Sequence, residues 1–207
     1  MGATEAPVVV KIGGSFASST HLQDWLRALA GCAGRAVIAP GGGPFADAVR
    51  STQLKMGFDD RIAHHMALLA MEQYGRALAG CNSTLMPADS LEAIRHALRI
   101  GRLPVWMPVR MVLDAEDIAP SWEVTSDSLA AWLGGRLGGG RLFLVKHAPA
   151  LAGRSKAEEL AALGIVDRAL PLYLKKSALR AFVLGACDHD AVGAAVCAGA
   201  EAGVAVE

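Results

Sequence analysis

The chain has 207 residues, 53% of them hydrophobic, and its 20 basic and 20 acidic side chains leave no net formal charge. That size fits a single α/β domain over residues 1–207 with a large core. The charge balance excludes the basic footprint by which nucleic acid or an anionic membrane surface is held, and no apolar run reaches the ~18 residues of a membrane span.

In chain order, Val8-Val9-Val10-Lys11-Ile12 reads as a buried strand interrupted by one lysine, followed by the turn Gly13-Gly14-Ser15. A charge in a buried strand is expensive unless something pairs with it, and a phosphate chain at the strand's carboxyl end would be such a partner. Thr20-His21-Leu22-Gln23 has the form of a capping box, opening a helix that stops at Gly31. Ala36 to Ala39 is a second buried strand. It enters Pro40-Gly41-Gly42-Gly43-Pro44, and Pro44 suits the first turn of a helix through Arg50. Asp59 or Asp60 caps a long helix to about Leu78, with Ile62, Met66, Leu69, Ala70 and Ala77 at helical spacing.

Asp89 to Glu92 is a further capping pattern, for a helix ending near Gly101. Pro104 to Pro108 is a short strand, residues 109–123 look irregular, and Ser126 or Asp127 starts a helix to Leu137. After the turn Gly138-Gly139-Gly140, Leu142 to Val145 is a buried strand, and 147–164 is a loop with a short helix. Pro171 to Leu179 is predicted helical, Phe182 to Leu184 a strand, and Asp190 to Ala198 a last helix. Alternating strands and helices predict a three-layer αβα sandwich around a mostly parallel sheet. The four cysteines (Cys32, Cys81, Cys187, Cys197) form no CxxC pair, which predicts buried free thiols and a cytoplasmic setting.

Three constellations carry chemistry. Lys11-Ile12-Gly13-Gly14-Ser15 reads equally well as a phosphate cradle and as an ordinary strand-to-helix turn. Gly41-Gly42-Gly43, between a buried strand and a helix start, lets amides point at an anion with the helix dipole behind them. Ser121-Trp122-Glu123-Val124-Thr125-Ser126-Asp127-Ser128 crowds hydroxyls and carboxylates at a helix start. There Asp127 is either a cap or a holder of lysines, with Thr125 and Ser126 on substrate. Asp188-His189-Asp190 reads as turn chemistry rather than a metal set, and adjacent His64 and His65 do not share a helix face.

Taken together and in this order, the three constellations resemble the amino acid kinase family, which includes acetylglutamate, aspartate and uridylate kinases. Lys11 to Ser15, Pro40 to Ala46, Ser121-Trp122 with Thr125 to Leu129, and Val166-Asp167 with Leu170-Pro171 and Leu174-Lys175 are similar to a narrower branch. That branch uses ATP to phosphorylate a phosphorylated aminomethylfuran, giving a diphosphate in methanofuran-type cofactor synthesis.

The resemblance implies ATP with Mg²⁺, no resident metal, and a homo-oligomer paired through the long early helix. It implies that Lys11 neutralises the transferring phosphoryl group, that Asp127 orients the lysines, and that Lys175 or its neighbour Lys176 is the second cation. Gly13, Gly14 and Ser15 would then hold one phosphate-bearing partner and Gly41 to Gly43 the other. One segment departs from the family pattern. Where most relatives carry Thr-Asp-Val-Asp-Gly, this chain has Lys146-His147-Ala148-Pro149-Ala150-Leu151. Either Lys146 meets a phosphate there, or the change marks altered nucleotide binding. A non-catalytic binding or regulatory protein, and a kinase for another phosphate or carboxylate acceptor, are the alternative readings.

Overall fold

The computed structural model describes residues 6–147, 153 and 155–207. Seven strands form one sheet in the order β3-β4-β2-β1-β5-β6-β7. They are β1 (Val8–Ile12), β2 (Ala36–Pro40), β3 (Leu85–Ala88), β4 (Leu103–Trp106), β5 (Gly140–Val145), β6 (Leu179–Leu184) and β7 (Val204–Val206). All neighbours pair in parallel except β7, which runs antiparallel to β6. With helices on both faces, this is the αβα sandwich that the alternation predicts.

The period of a strand sorts β1 between the two faces. Val8, Val10 and Ile12 pack with Phe16, Trp25, Leu29 and Phe143. Val9 points the other way, among Leu129, Ala130, Leu133 and Leu144. Lys11 therefore shares the face of Val9, toward the helix that carries Leu129 and Leu133.

The helices are α1 (Leu22–Ala30), α2 (Gly43–Met56), α3 (Asp60–Cys81), α4 (Leu91–Arg99), α5 (Val109–Leu113), α6 (Ser126–Arg136), α7 (Ala157–Ala162), α8 (Leu170–Lys176) and α9 (His189–Ala198). Several ends differ from the sequence expectation. Helix α2 runs past Arg50 to Met56 and stops on Gly57, which takes the left-handed conformation at φ 74°. The cap of α4 is Ser90, whose Oγ accepts from Ala93 N, and not Asp89. No capping box opens α1: its first turn follows His21 and has no side-chain cap, and Ser19 Oγ accepts from His21 N just before it. Asp59 caps α3 as expected, accepting from Ile62 N.

Helix α5 lies in the stretch expected to be irregular, and β3 and β7 were not foreseen. Strand β3 holds a proline and β7 has three half-buried residues at the sheet edge, so neither shows a strong apolar period. The thiols correct another expectation: only Cys32 is buried, and Cys81, Cys187 and Cys197 are free and exposed.

Candidate functional site

Chain connections reverse direction at β1, with β2 on one side and β5 on the other. In an open parallel sheet that reversal leaves a crevice at the carboxyl ends of the strands. Two of its glycine amides are committed to the backbone: Gly13 N donates to Val145 O at 3.2 Å and Gly41 N to Ile12 O at 2.9 Å.

The two glycine loops also touch each other. A Cβ on Gly14 would stand 2.4 Å from Gly43 N, one on Gly41 would stand 2.5 Å from Gly14 N, and one on Gly42 would stand 2.3 Å from Ala46 Cβ. Only Gly43 needs glycine's conformational freedom, with φ +56°. The glycines thus let two loops abut, leaving Gly14, Gly42 and Gly43 facing open space beside Ser15.

Lys11 finds its partner within the protein. Its Nζ is 2.8 Å from Asp127 Oδ1, with Lys11 4% and Asp127 3% exposed. Lys146 Nζ lies 2.5 Å from Asp127 Oδ2. Burial alone would raise the Asp127 pKa, but the two ammoniums outweigh it and hold the carboxyl well below the usual carboxylate range. Burial, reinforced by repulsion from Lys11, pushes the Lys146 ammonium down to about 8 despite its contact with Asp127.

Asp127 is not the cap of α6, and neither is Ser126. The helix begins after Thr125 with no side-chain cap of its own. Asp167, from the loop before α8, caps it instead. Its Oδ2 accepts from Thr125 N at 3.0 Å, Thr125 Oγ1 at 2.9 Å and Ser128 N at 2.9 Å, and its Oδ1 accepts from Ser128 Oγ. Asp167 N in turn donates to Asp127 Oδ2 at 3.1 Å. Burial and then the Asp127 charge raise the Asp167 pKa.

Two hollows meet at this cluster. The smaller, about 480 Å³, is lined by the glycine loops with His64, Leu68, Met71 and Leu129. The larger, about 1150 Å³, is lined by Lys11, Asp127, Lys146 and Asp167, with Val166, Pro171 and Leu172 on its apolar side. Arg50, Trp122, Thr125 and Ser126 line both. The Arg50 guanidinium lies 4.3 Å from the Trp122 ring centre, and Trp122 Nε1 donates to Gln53 Oε1 at 2.7 Å, which fixes that shared wall. Burial lowers the His64 pKa and keeps the ring neutral at pH 7.

Of the residues expected at the site, Lys11, Asp127, Lys146, Gly14, Ser15, Gly42, Gly43, Thr125 and Ser126 come together. Lys175 does not reach Asp127. It stands at the rim of the larger hollow, exposed, with Nζ 2.9 Å from Glu158. Lys176 lies over the Tyr173 ring at 5.9 Å and lines a separate hollow with Asp117 and Trp132. Lys146, and not Lys175, is therefore the second ammonium on Asp127, because β5 ends beside β1 while the last turn of α8 faces solvent. Within the departing segment, Lys146 and His147 are described, whereas residues 148–151 lie outside the described residues.

Sequence reasoning missed Arg50, His64 and Asp167 as lining or positioning residues. Arg50 stands seven residues after Gly43, two helical turns on the same face, and that spacing was an available signal. Asp167 showed only as part of the Val166-Asp167 motif, and its role stayed hidden because it acts across 40 residues of chain.

The fold agrees with that of known kinases. Solved structures similar to this chain include uridylate kinase from Archaeoglobus fulgidus (TM-score 0.74, 13% identity, 97% of this chain and 100% of that one). UMP kinase from Ureaplasma parvum is also similar (TM-score 0.70, 13% identity, 99% and 100%). In sequence, the chain is 25% identical over 189 residues to [5-(aminomethyl)furan-3-yl]methyl phosphate kinase of Methanocaldococcus jannaschii, covering 85% of this chain and 86% of that protein. The model of the amino acid kinase family matches residues 6–159, from the lysine strand through both glycine loops and the Asp127 helix to α7. The chain belongs to the amino acid kinase family.

Proposed function

We propose that the protein is an ATP-dependent kinase that transfers the γ-phosphoryl group to a phosphorylated aminomethylfuran, giving a diphosphate. ATP would occupy the larger hollow with its phosphates toward Lys11 and Lys146, and the acceptor would occupy the smaller. An acceptor phosphate oxygen forms the new bond to the γ-phosphorus as the bond to the β,γ-bridging oxygen breaks, and ADP carries away that electron pair. Catalysis of this kind is mostly positioning and charge stabilisation.

One observation carries the anionic acceptor: both carboxylates of the cluster, buried Asp127 and half-buried Asp167, are already committed. Asp127 is clamped between two lysines, and Asp167 accepts from the start of α6. Neither is free to take a proton from a hydroxyl, and an acceptor phosphate needs none removed. Lys11, Lys146 and the amino end of α6 then draw two anions together. Arg50 stands at the shared wall, suited to the acceptor phosphate.

The same commitment bears on magnesium. With both carboxylates engaged, the residues fit an ion that enters on the nucleotide phosphates rather than a resident one. Such an ion would neutralise charge on the phosphates; Ser15 and Ser126 are among the hydroxyls lining the hollows.

Incubation with ATP, Mg²⁺ and the aminomethylfuran phosphate, followed by ³¹P NMR, tests this reading. A diphosphate product supports it. No product from that acceptor, but turnover of UMP or of an amino acid carboxylate, would replace the acceptor. No ATP binding by calorimetry would favour a non-catalytic protein. Action in the cytoplasm and homo-oligomeric assembly belong to the same proposal.

A further inference from the structure

We propose that His21, Asp24 and His189 form a divalent transition-metal site, suited to Zn²⁺, where the start of α1 meets the start of α9. One ligand atom from each residue lies within 4.8 Å of the other two, and all three side chains are half-buried. Around a tetrahedral zinc with bonds of about 2.0–2.2 Å, neighbouring ligand atoms stand about 3.3–3.6 Å apart. Small side-chain rotations therefore close the triad on an ion. Two imidazoles and a carboxylate are a zinc donor set with one position open. Magnesium, which wants oxygen ligands in an octahedron, is a poor match.

The surroundings pre-organise the three residues. Trp25 Nε1 donates to Ala186 O at 2.8 Å, tying α1 to the loop that leads into α9. Asp188 Oδ2 accepts from Gly185 N at 2.8 Å, so that aspartate does perform the turn chemistry expected of it and leaves His189 free of that role. The His189 ring meets the Trp25 ring edge-on, 6.2 Å between centres. Asp190 Oδ1 stands 3.1 Å from His189 Nδ1. A carboxylate on one ring nitrogen leaves the other its lone pair, the usual arrangement behind a metal-bound histidine. Cys187 Sγ lies 3.9 Å from His21 Nε2. The competing partner of Asp24 is Arg27 at 3.3 Å, an exposed pair of small worth.

The site is separate from the phosphate-facing cluster, and its ion would pin the start of α1 to the start of α9. The test is equilibrium dialysis of the untagged full-length chain, stripped with a chelator, against ZnCl₂. One Zn²⁺ per chain is expected. His21→Ala and His189→Ala should each weaken binding by about tenfold or more, while His96→Ala on α4 should leave it unchanged. Zinc should raise the thermal midpoint of the wild type and not of the His21→Ala/His189→Ala double variant. Circular dichroism checks folding, with His21→Gln and His189→Gln as replacements if the alanine variants unfold. No zinc retained by the wild type, or equal affinity in the double variant, would overturn the proposal; the second result would move the zinc to the exposed thiols.

Discussion

A lysine buried against one carboxylate and beside a second lysine keeps its proton only while enough negative charge stays near. Lys146, pushed down to about 8, is in that position. Below that pH it is charged and attracts phosphate; above it the charge is lost. Turnover should therefore fall as pH rises through about 8, and Lys146→Arg, whose guanidinium stays charged, should move that alkaline limb upward. An unshifted limb would mean that another group titrates. Lys11 makes a sharper case, since it enters the site from a central strand. Lys11→Met should cut kcat by about 10²–10³-fold while circular dichroism stays native, because the methionine fills the same slot. Asp127→Ala is different: it strands two buried ammoniums and should cost about 3–5 kcal/mol of stability, read by urea unfolding.

At the scale of elements, α6 is held at its amino end by a residue 40 positions away in sequence. Asp167 is thus a positioning residue: it orients the turn that carries Thr125, Ser126 and Asp127. Asp167→Ala removes a helix cap and should destabilise by about 1–2 kcal/mol. Steady-state kinetics should show kcat falling more than KM for ATP rises, with Asp167→Asn recovering part of the rate. Equal changes in both would assign Asp167 to nucleotide binding instead. The glycine loops form a second such element. Gly14→Ala would drive a methyl to 2.4 Å from Gly43 N, so the loops must part. Overpacking of this kind costs about 1–3 kcal/mol, and binding in the smaller hollow should weaken with it, measurable by calorimetry.

Over the whole molecule, what the sequence revealed was whatever is written in short range. The lysine strand, both glycine turns and the long helix are local patterns, and all stand where the periods put them. Long-range pairing was not legible in the local patterns. Lys11 was costly enough to demand an anion, and only the family resemblance put Asp127 among the lysines; the structure shows that Lys146 is the second of them and that Lys175 faces Glu158 at the surface. Asp127 could not be told from a cap while its helix was viewed alone. The apolar stripe on α3 poses the same ambiguity between core and interface. Leu68, Ala70 and Met71 are buried, yet Ile62 is 49% and Leu69 42% exposed, seven residues apart and so on one face. Leu54 and Met56, near the end of the preceding α2, are exposed as well. Water contact with such a row is unfavourable, and a second copy would relieve it for both chains through one self-complementary patch. If the proposed homo-oligomer pairs through this face, Ile62→Asp with Leu69→Lys should leave the circular dichroism native and lower the mass seen by sedimentation to that of one chain, whereas a wild type that already sediments as one chain would overturn the pairing. An assembly whose mass does not change would place the subunit contact on another face.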